Sequence, residues 1–391
     1  LSVDAEHARA SPRGGAGRRA LAAITLAAAA LTLAACSTPA PLTPGLSPAA
    51  ASDAAVVTPP TAPAAAAQTL SETGSSLMAP LFARWGPAYH ARFSQVTIRT
   101  TSSSSGTGID AAAAGTADIG ASDAYLSPAT LAKHSHLVNI PLAVAALMVV
   151  YHVPGIGQAT HLKLDGKLLG RIYAGQITRW DDPSIAVANP GVKLPGTGIV
   201  LVHRGDDSGS TFLFTSYLNA QDPSGWSGSL IGTTIAWPRQ PGELSAAGTD
   251  AMISSVKSAP GSIGYVGVSY LSQVRAAGEG EAALGNSAGG YVLPAAGTIR
   301  AALASFTNTP ASETISLVNG SGTQAYPIVN YEYAIVSTAQ TSAVRAQDLR
   351  AFLSWAITSG AAQLARVNFQ PLPSSVVTLS GAQIAKIKAD T

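Results

Sequence analysis

A strand, a Ser/Gly turn and the start of a helix follow one another directly between Gly198 and Leu218. That succession confines the chain to α/β architectures in which strand ends feed helix starts. Gly198-Ile-Val-Leu-Val-His203 is an apolar run of the kind that forms a buried strand. Phe212, Phe214, Tyr217 and Leu218 then fall at near-helical spacing. Between them, Arg204-Gly-Asp-Asp-Ser-Gly-Ser-Thr211 supplies one guanidinium, three hydroxyls and two glycines. The first amides of a helix have no intrahelical partner, and its dipole favours negative charge, so such a turn binds an oxyanion. Arg204 adds a planar fork that matches phosphate or carboxylate. By itself the segment equally describes a capped βα turn carrying a surface arginine.

Two further segments repeat the pattern. Gly74-Ser-Ser-Leu-Met-Ala-Pro80 opens a stretch in which Leu77, Leu81, Phe82, Trp85 and Tyr89 recur at mostly helical spacing. Ser102-Ser-Ser-Ser-Gly-Thr-Gly-Ile109 follows the alternation Val96, Ile98, and Gly120-Ala-Ser-Asp123 comes soon after. One Ser/Gly loop is usually only a turn. Three of them, each between a strand and a helix, are harder to dismiss as turns. Apolar runs at 140–153, 198–203, 262–268 and 326–336 alternate with helical patterns such as Leu168, Leu169, Ile172, Tyr173. The class is therefore α/β, and the alternation alone allows a doubly wound single domain.

From about Leu70 to its end, the chain resembles the periplasmic phosphate-binding protein of the bacterial high-affinity phosphate ABC transporter. Besides the loops above, the resemblance rests on Ala121-Ser-Asp-Ala-Tyr-Leu126, Leu164-Asp-Gly-Lys-Leu-Leu-Gly170, Arg179-Trp-Asp-Asp182, Asn189-Pro-Gly-Val-Lys-Leu-Pro195 and Gly261-Ser-Ile-Gly-Tyr-Val266. Trp355-Ala-Ile-Thr-Ser-Gly360 and Leu372-Pro-Ser-Ser-Val376 match as well. The resemblance implies the two-lobed periplasmic-binding-protein fold (type II), with a hinge and a ligand cleft between the lobes. Residues 69–145 and 322–391 would form lobe 1 and residues 146–321 lobe 2, with crossovers near 140–150 and 315–330.

The same resemblance implies the site. Ser76 and Leu77 fall where the family offers backbone amides to phosphate, although Ser76-Leu77-Met78 replaces the usual Thr-Phe-Pro. That change keeps the amides and removes an aromatic wall and a rigid proline. Ser105 matches a serine that donates hydroxyl and amide, with a register open by one position in the four-serine run. Asp123 matches the family aspartate. Arg204, Ser208, Gly209 and Ser210 match the Arg and Ser-Gly-Thr donors, and Asp206 matches a carboxylate that orients the arginine. No cofactor is implied; the partners are inorganic phosphate and the permease and ATPase subunits of the transporter.

Asp123 has a physical role in such a site. An ionised carboxylate only accepts hydrogen bonds, so it is satisfied by hydrogen phosphate, which carries a proton, and not by sulfate. Facing sulfate, it would lose a bond and add repulsion, and discrimination on that basis is large. The competing reading makes Asp123 the cap of a following helix.

Charge excludes one class of partner. The chain has 23 Lys plus Arg and 21 Asp plus Glu, a net +2; residues 1–35 hold four Arg, one Asp and one Glu, which leaves the remainder near zero. A nucleic-acid binder shows a basic excess or stripe, and none is present. An anion site here must be local. Asp181 and Asp182 read as a helix start before Pro183 rather than a metal pair. His134 and His136 lack a Cys, Asp or Glu cluster beside them. His203 has no nucleophile elbow, and Gly155-Ile-Gly157 lacks the third glycine of a dinucleotide fingerprint. The main alternatives are a binding protein for another oxyanion and, less favoured, a serine-dependent phosphate-ester hydrolase. For the latter, neither a metal cluster nor an activated nucleophile is evident.

The N-terminal part reads as an address. Arg18-Arg19, the apolar run 20–35 and the small residues before Cys36 form a secretory signal over residues 1–35, with residues 1–16 as an extension. The run is shorter than the roughly 20 residues that span a bilayer. Cys36, the only cysteine, follows the small residues directly; this resembles a lipoprotein signal in which Cys36 carries the lipid and anchors the chain outside the cytoplasm. Residues 36–68, rich in Pro, Ala, Ser and Thr, read as a tether. Extended, the 32 residues from Ser37 to Gln68 reach roughly 100 Å at about 3.1 Å each.

Overall fold

The computed structural model describes residues 62–390. The signal segment, Cys36 and the tether up to residue 61 lie outside the described residues. The stretch read as tether ends in contact with the body. Ala64 donates its amide to Asp348 at 2.6 Å, and Gln347 Nε2 donates to the Ala62 carbonyl at 3.0 Å.

One nine-stranded mixed sheet organises the molecule. Its strands are β1 (Gln68–Ser75), β2 (Val96–Ser103), β3 (Ile119–Ser122), β4 (Leu137–His152), β5 (Val200–Arg204), β6 (Leu244–Ala246), β7 (Ser262–Gly267), β8 (Gly280–Glu281) and β9 (Val329–Ser337). The spatial order is β2-β1-β3-β9-β4-β7-β5-β6, with β8 pairing with β4 off this path. β1, β2 and β3 are mutually parallel, as are β5, β6 and β7. The antiparallel β9 and β4 join the two parallel sets.

The length of β4 makes two halves out of one sheet. Up to Ala146 it pairs with β9, and from Leu147 onward with β7. A strand of sixteen residues that is buried along nearly its whole length is the longest apolar run of the body, Leu-Val-Asn-Ile-Pro-Leu-Ala-Val-Ala-Ala-Leu-Met-Val-Val-Tyr-His. It has no polar alternation because both of its faces are covered. The molecule therefore has the two-lobed form, each lobe built on one parallel set. Ser312 and Thr314, in the segment read as part of the second lobe, accept hydrogen bonds from Asn139 of β4 at 3.3 Å each.

Six helices matter for the site and its support: α1 (Ala79–Arg92), α2 (Ser105–Ala113), α3 (Gly209–Gln221), α4 (Gly248–Ser258), α5 (Ala343–Ile357) and α6 (Ser374–Ile384). α1 turns Leu81, Phe82, Trp85 and Tyr89 inward, as their spacing predicts. Trp85 and Tyr89 meet Phe352 and Trp355 of α5 edge-on, and Phe82 meets Phe352 at a tilt, with centroids 5.1–6.4 Å apart. Pairs of this kind add about 0.5–1.5 kcal/mol each beyond area burial. The indole of Trp85 is satisfied by the Gly360 carbonyl at 2.9 Å. A second aromatic group, Tyr173, Phe214 and Tyr265, packs α3 on β7; the Phe214 and Tyr265 rings stack at 4.6 Å.

Candidate functional site

Each of β1, β2 and β5 runs straight into a helix, so three helix N-termini converge at the carboxyl ends of the strands. Open α/β sheets bind ligands at that edge. The local sequence explains how each turn is made. After β1, Gly74 adopts φ +142°, and a Cβ there would lie 2.1 Å from the Ala121 carbonyl oxygen, so only glycine lets β1 and β3 approach this closely. After β2, Ser104 caps α2, accepting from the Thr107 amide at 3.3 Å. Ser105 is thereby the first helical residue. After β5, Ser208 caps α3 by backbone position alone. Its hydroxyl is buried and has no hydrogen-bond partner, and it makes no side-chain cap.

The sequence-derived residues are brought together at this edge. Arg204 is almost wholly buried. Asp206 holds its guanidinium in a two-point pair, Nε to Oδ1 at 2.6 Å and Nη2 to Oδ2 at 2.5 Å. Arg204 Nη1 also reaches Ser76 Oγ at 3.3 Å, across from one lobe to the other. The backbone under Arg204 is fixed as well: its amide donates to the Tyr265 hydroxyl at 3.1 Å, and that hydroxyl pairs with Thr211 at 2.8 Å. A guanidinium held at both ends keeps its remaining N–H groups oriented in advance.

Asp123 stands opposite, fully enclosed. Ser75 Oγ donates to its Oδ1, and Ser210 Oγ donates to Oδ2 at 2.8 Å. Its own amide donates to Ser105 Oγ at 3.2 Å. Burial pushes the Asp123 carboxyl above the ordinary carboxylate range; the hydrogen bonds and the charge of Arg204 act in the opposite direction. Asp123 caps no helix. The short helix downstream, Pro128–Lys133, is capped by Ser127.

Gly209 lies at a close approach of the two lobes. A Cβ there would sit 2.5 Å from Ser105 Oγ and 2.7 Å from Asp123 Cβ. Nearby, the Gly106 amide donates to the Asp207 carbonyl at 2.9 Å. Leu77 is fully buried and fills the place of an aromatic wall by lying on β7, where a Cβ on Gly267 would meet Leu77 Cγ at 2.3 Å. The Leu77 amide donates to Ser75 Oγ at 3.1 Å. The Ser76 hydroxyl is shared with Thr249 of α4 at 2.8 Å.

Four contributors escaped sequence reasoning: Ser75, Thr249, Tyr265 and Glu332. Ser75 adjoins the residues singled out in Gly74-Ser-Ser. Tyr265 lies in Gly261-Ser-Ile-Gly-Tyr-Val266, which carries the resemblance but gave no hint of a role at the site; Thr249 and Glu332 lie in segments with no motif of their own, and only chain folding brings them near.

The remaining sequence candidates are structural. Asp182 caps the helix Pro183–Ala188, accepting from the Ser184 amide at 2.8 Å, and Asp181 pairs with Arg179 at 3.0 Å. His203 stacks on Trp237 at 5.2 Å. Among the described residues no group of three or more His, Cys, Asp or Glu is placed to hold a metal ion.

The chemistry follows from the charges. One arginine is balanced by Asp206, and Asp123 brings a second carboxyl. The site therefore has no cationic surplus, and an anion would be held by the free N–H groups of Arg204 together with amides, hydroxyls and three helix dipoles. Such donors suit a small tetrahedral oxyanion that also carries a hydrogen-bonding proton for Asp123.

Comparison with known proteins gives the chain a family and a fold. The PBP superfamily domain matches residues 59–359. The phosphate-binding protein PstS of Xylella fastidiosa strain Temecula1 is 32% identical over 310 residues, covering 79% of this chain and 82% of that protein. PstS of Pasteurella multocida is 31% identical over 319 residues, covering 81% and 90%. Among solved structures, a high-affinity periplasmic phosphate-binding protein (PfluDING) bound with phosphate superposes with TM-score 0.66 at 19% identity, covering 83% of this chain and 100% of that one. A phosphate-binding protein from Stenotrophomonas maltophilia superposes with TM-score 0.63 at 19% identity, covering 81% and 94%.

Proposed function

We propose a function from the premise that this chain belongs to the PBP superfamily and, within it, to the PstS family of phosphate-binding proteins. It captures inorganic phosphate outside the cytoplasm and delivers it to the permease of an ABC transporter. It is a binding protein and not an enzyme. The observation that carries this reading is the convergence of three helix N-termini on one clamped arginine and one buried aspartate, contributed by both lobes.

In the proposed complex, the amides of Ser76 and Leu77, the amide and hydroxyl of Ser105, Arg204, Ser208, Gly209 and Ser210 donate to phosphate oxygens. Asp123 accepts the ligand's proton. Asp206 touches no ligand and keeps the guanidinium in plane. The unpartnered hydroxyl of Ser208 supports its assignment as a donor, since a buried hydroxyl without a partner is costly unless a ligand uses it. The proposed lobes are residues 69–145 with 322–391, and 146–321, hinged where β4 and the segment 315–330 cross between them, with residues 311–314 of the second range hydrogen-bonded to the first lobe. Closure brings Gly209 against Ser105.

Among the described residues no helix is long and apolar enough to cross a membrane. Membrane attachment is proposed through Cys36, lipidated after removal of residues 1–35, with the Pro/Ala-rich segment as spacer. Metabolic labelling with a fatty acid, compared between the native chain and Cys36→Ser, tests the anchor.

Isothermal titration of the purified protein, freed of carried-over phosphate, tests the ligand. One-to-one binding of phosphate with no heat from sulfate is the expected result. Equal binding of both anions, or of neither, would refute the assignment.

A further inference from the structure

Behind Asp123 lies a second carboxyl that the anion site as described does not use. Glu332 sits in β9 with no solvent exposure, and neither of its oxygens has a hydrogen-bond partner of ordinary geometry. The antiparallel register pairs Tyr333 with Ser122 and Ala334 with Ala121, so the next step along the ladder sets Glu332 against Asp123. Asn330, two residues earlier and therefore on the same face of β9, donates Nδ2 to the Asp123 carbonyl at 2.5 Å. One face of β9 thus addresses Asp123 twice, at its backbone and at its carboxyl. On the β4 side the ladder slips between Glu332 and Tyr333, a bulge that re-aims side chains at this point.

The charges around Glu332 decide its state. Asp123 of β3 is the acidic group that acts on it, and Tyr333, its neighbour in β9, is coupled to it. The guanidinium of Arg204 in β5 acts on Asp123 and is held in a two-point pair by Asp206. Tyr270, beyond β7, feels Asp123 and Arg204. No cation is thus available to balance an ionised Glu332. Burial and the adjacent Asp123 push the Glu332 carboxyl well above its ordinary range. Two carboxyls enclosed side by side cannot both ionise.

We infer that Glu332 is the proton-bearing partner of Asp123: a neutral carboxylic acid that donates a hydrogen bond to the Asp123 carboxylate and so positions it to accept the proton of hydrogen phosphate. The inference rests on the phosphate reading above and deepens it. Without Glu332, Asp123 would have to be kept ionised by Ser75, Ser210 and a distant, already paired arginine. With it, the enclosed site holds Arg204, Asp206 and one ionised carboxyl, rather than two, before a dianion enters. Phosphate-over-sulfate selection then depends on a pair of carboxyls sharing one proton, with Asp123 the member that faces the ligand. Glu332 is a positioning residue and touches no phosphate.

The test uses the full protein and two variants, Glu332→Gln and Glu332→Leu. Gln keeps a donor and cannot ionise; Leu keeps volume and offers no donor. Infrared difference spectra at neutral pH, wild type minus Glu332→Gln, are expected to show the carbonyl band of a protonated carboxylic acid that the variant lacks. Buried acids common to both proteins cancel. In titrations, Glu332→Gln is expected to bind phosphate within about threefold of wild type, whereas Glu332→Leu loses about tenfold or more and narrows the phosphate-to-sulfate ratio. If no such band is lost, or if the Leu variant keeps wild-type affinity and selectivity, the inference is wrong. A Gln variant as impaired as the Leu variant also overturns it. Failure of the wild-type protein to bind phosphate strikes the proposed function instead, and the infrared result then stands or falls separately.

Discussion

Replacing Gly209 by alanine separates closure from folding. The added Cβ would lie 2.5 Å from Ser105 Oγ, 2.7 Å from Asp123 Cβ and 3.0 Å from the Ala124 amide nitrogen. Optimal carbon–carbon separation is about 3.5–4.0 Å, so the lobes would have to part by roughly 1 Å at this point. Ser105 Oγ can rotate aside, but Asp123 Cβ and the Ala124 amide are the root of a side chain and backbone, which cannot swing away. Within its own lobe the substitution is harmless. Gly209 opens α3, its φ lies outside the left-handed region, and alanine is the better helix former. The strain therefore falls on the closed arrangement alone. Overpacking of this kind costs about 1–3 kcal/mol, which corresponds to a phosphate affinity loss of roughly 5- to 150-fold. Thermal unfolding of the ligand-free protein should move by less than about 2 °C. Titration calorimetry gives the first quantity and scanning fluorimetry the second. Unchanged affinity would show that α3 does not approach Ser105 and Asp123 in the bound state. A large drop in Tm without ligand would show that the contact belongs to the fold and not to closure.

Further substitutions and a pH series address other parts of the site. Asp123→Asn should weaken phosphate binding by about 10- to 100-fold while sulfate binding rises, because the acceptor for the ligand's proton is lost and the repulsion with it; competition titration of the two anions measures the ratio, and an unaltered ratio would remove Asp123 from the selectivity argument. Arg204→Lys keeps the charge and loses the fork to Asp206, so affinity should fall by roughly tenfold or more, with a matching rise in dissociation rate measured by stopped flow; retention of wild-type rates would mean that the fork is not used. Glu72, Glu279 and Glu313 are pushed from 4.5 to about 8, in each case by burial first. Carboxyls raised in the folded state bind protons that the unfolded chain has released. Their stabilising contribution is complete below pH 4.5 and disappears as pH rises through about 8. Tm should accordingly decline between mildly acid pH and pH 9, and Glu313→Gln, which leaves the Ser380 contact to an amide, should flatten that decline; a Tm profile flat in wild type would contradict it.

Much of the anion site was legible because its chemistry is local. Arg204 and Asp206 are two residues apart, and Ser208, Gly209 and Ser210 are consecutive, so one strand–turn–helix carries an entire wall. The same holds for Gly74 to Leu77 and for the serine run, in which Ser104 caps α2. β4 was visible as an apolar run, and α1 and α3 as inward-facing aromatic spacings. The family resemblance supplied what these segments could not, the expectation that they share one cleft.

The sequence by itself determined the elements and the candidate donors, because strand burial, helix capping and the anion affinity of a helix start are properties of a few adjacent residues. Tertiary structure alone decided what lies behind and across the site. Glu332 is 209 positions from Asp123 in the chain, and nothing in Tyr-Glu-Tyr-Ala-Ile-Val marks a glutamate for the cleft. Ser76 meets Thr249 and Arg204, and Gly209 meets Ser105, only because β4 carries both half-sheets and turns their strand ends toward each other. Burial, and with it the protonation of Asp123 and Glu332, depends on what the whole fold excludes from water; no window of sequence contains that information.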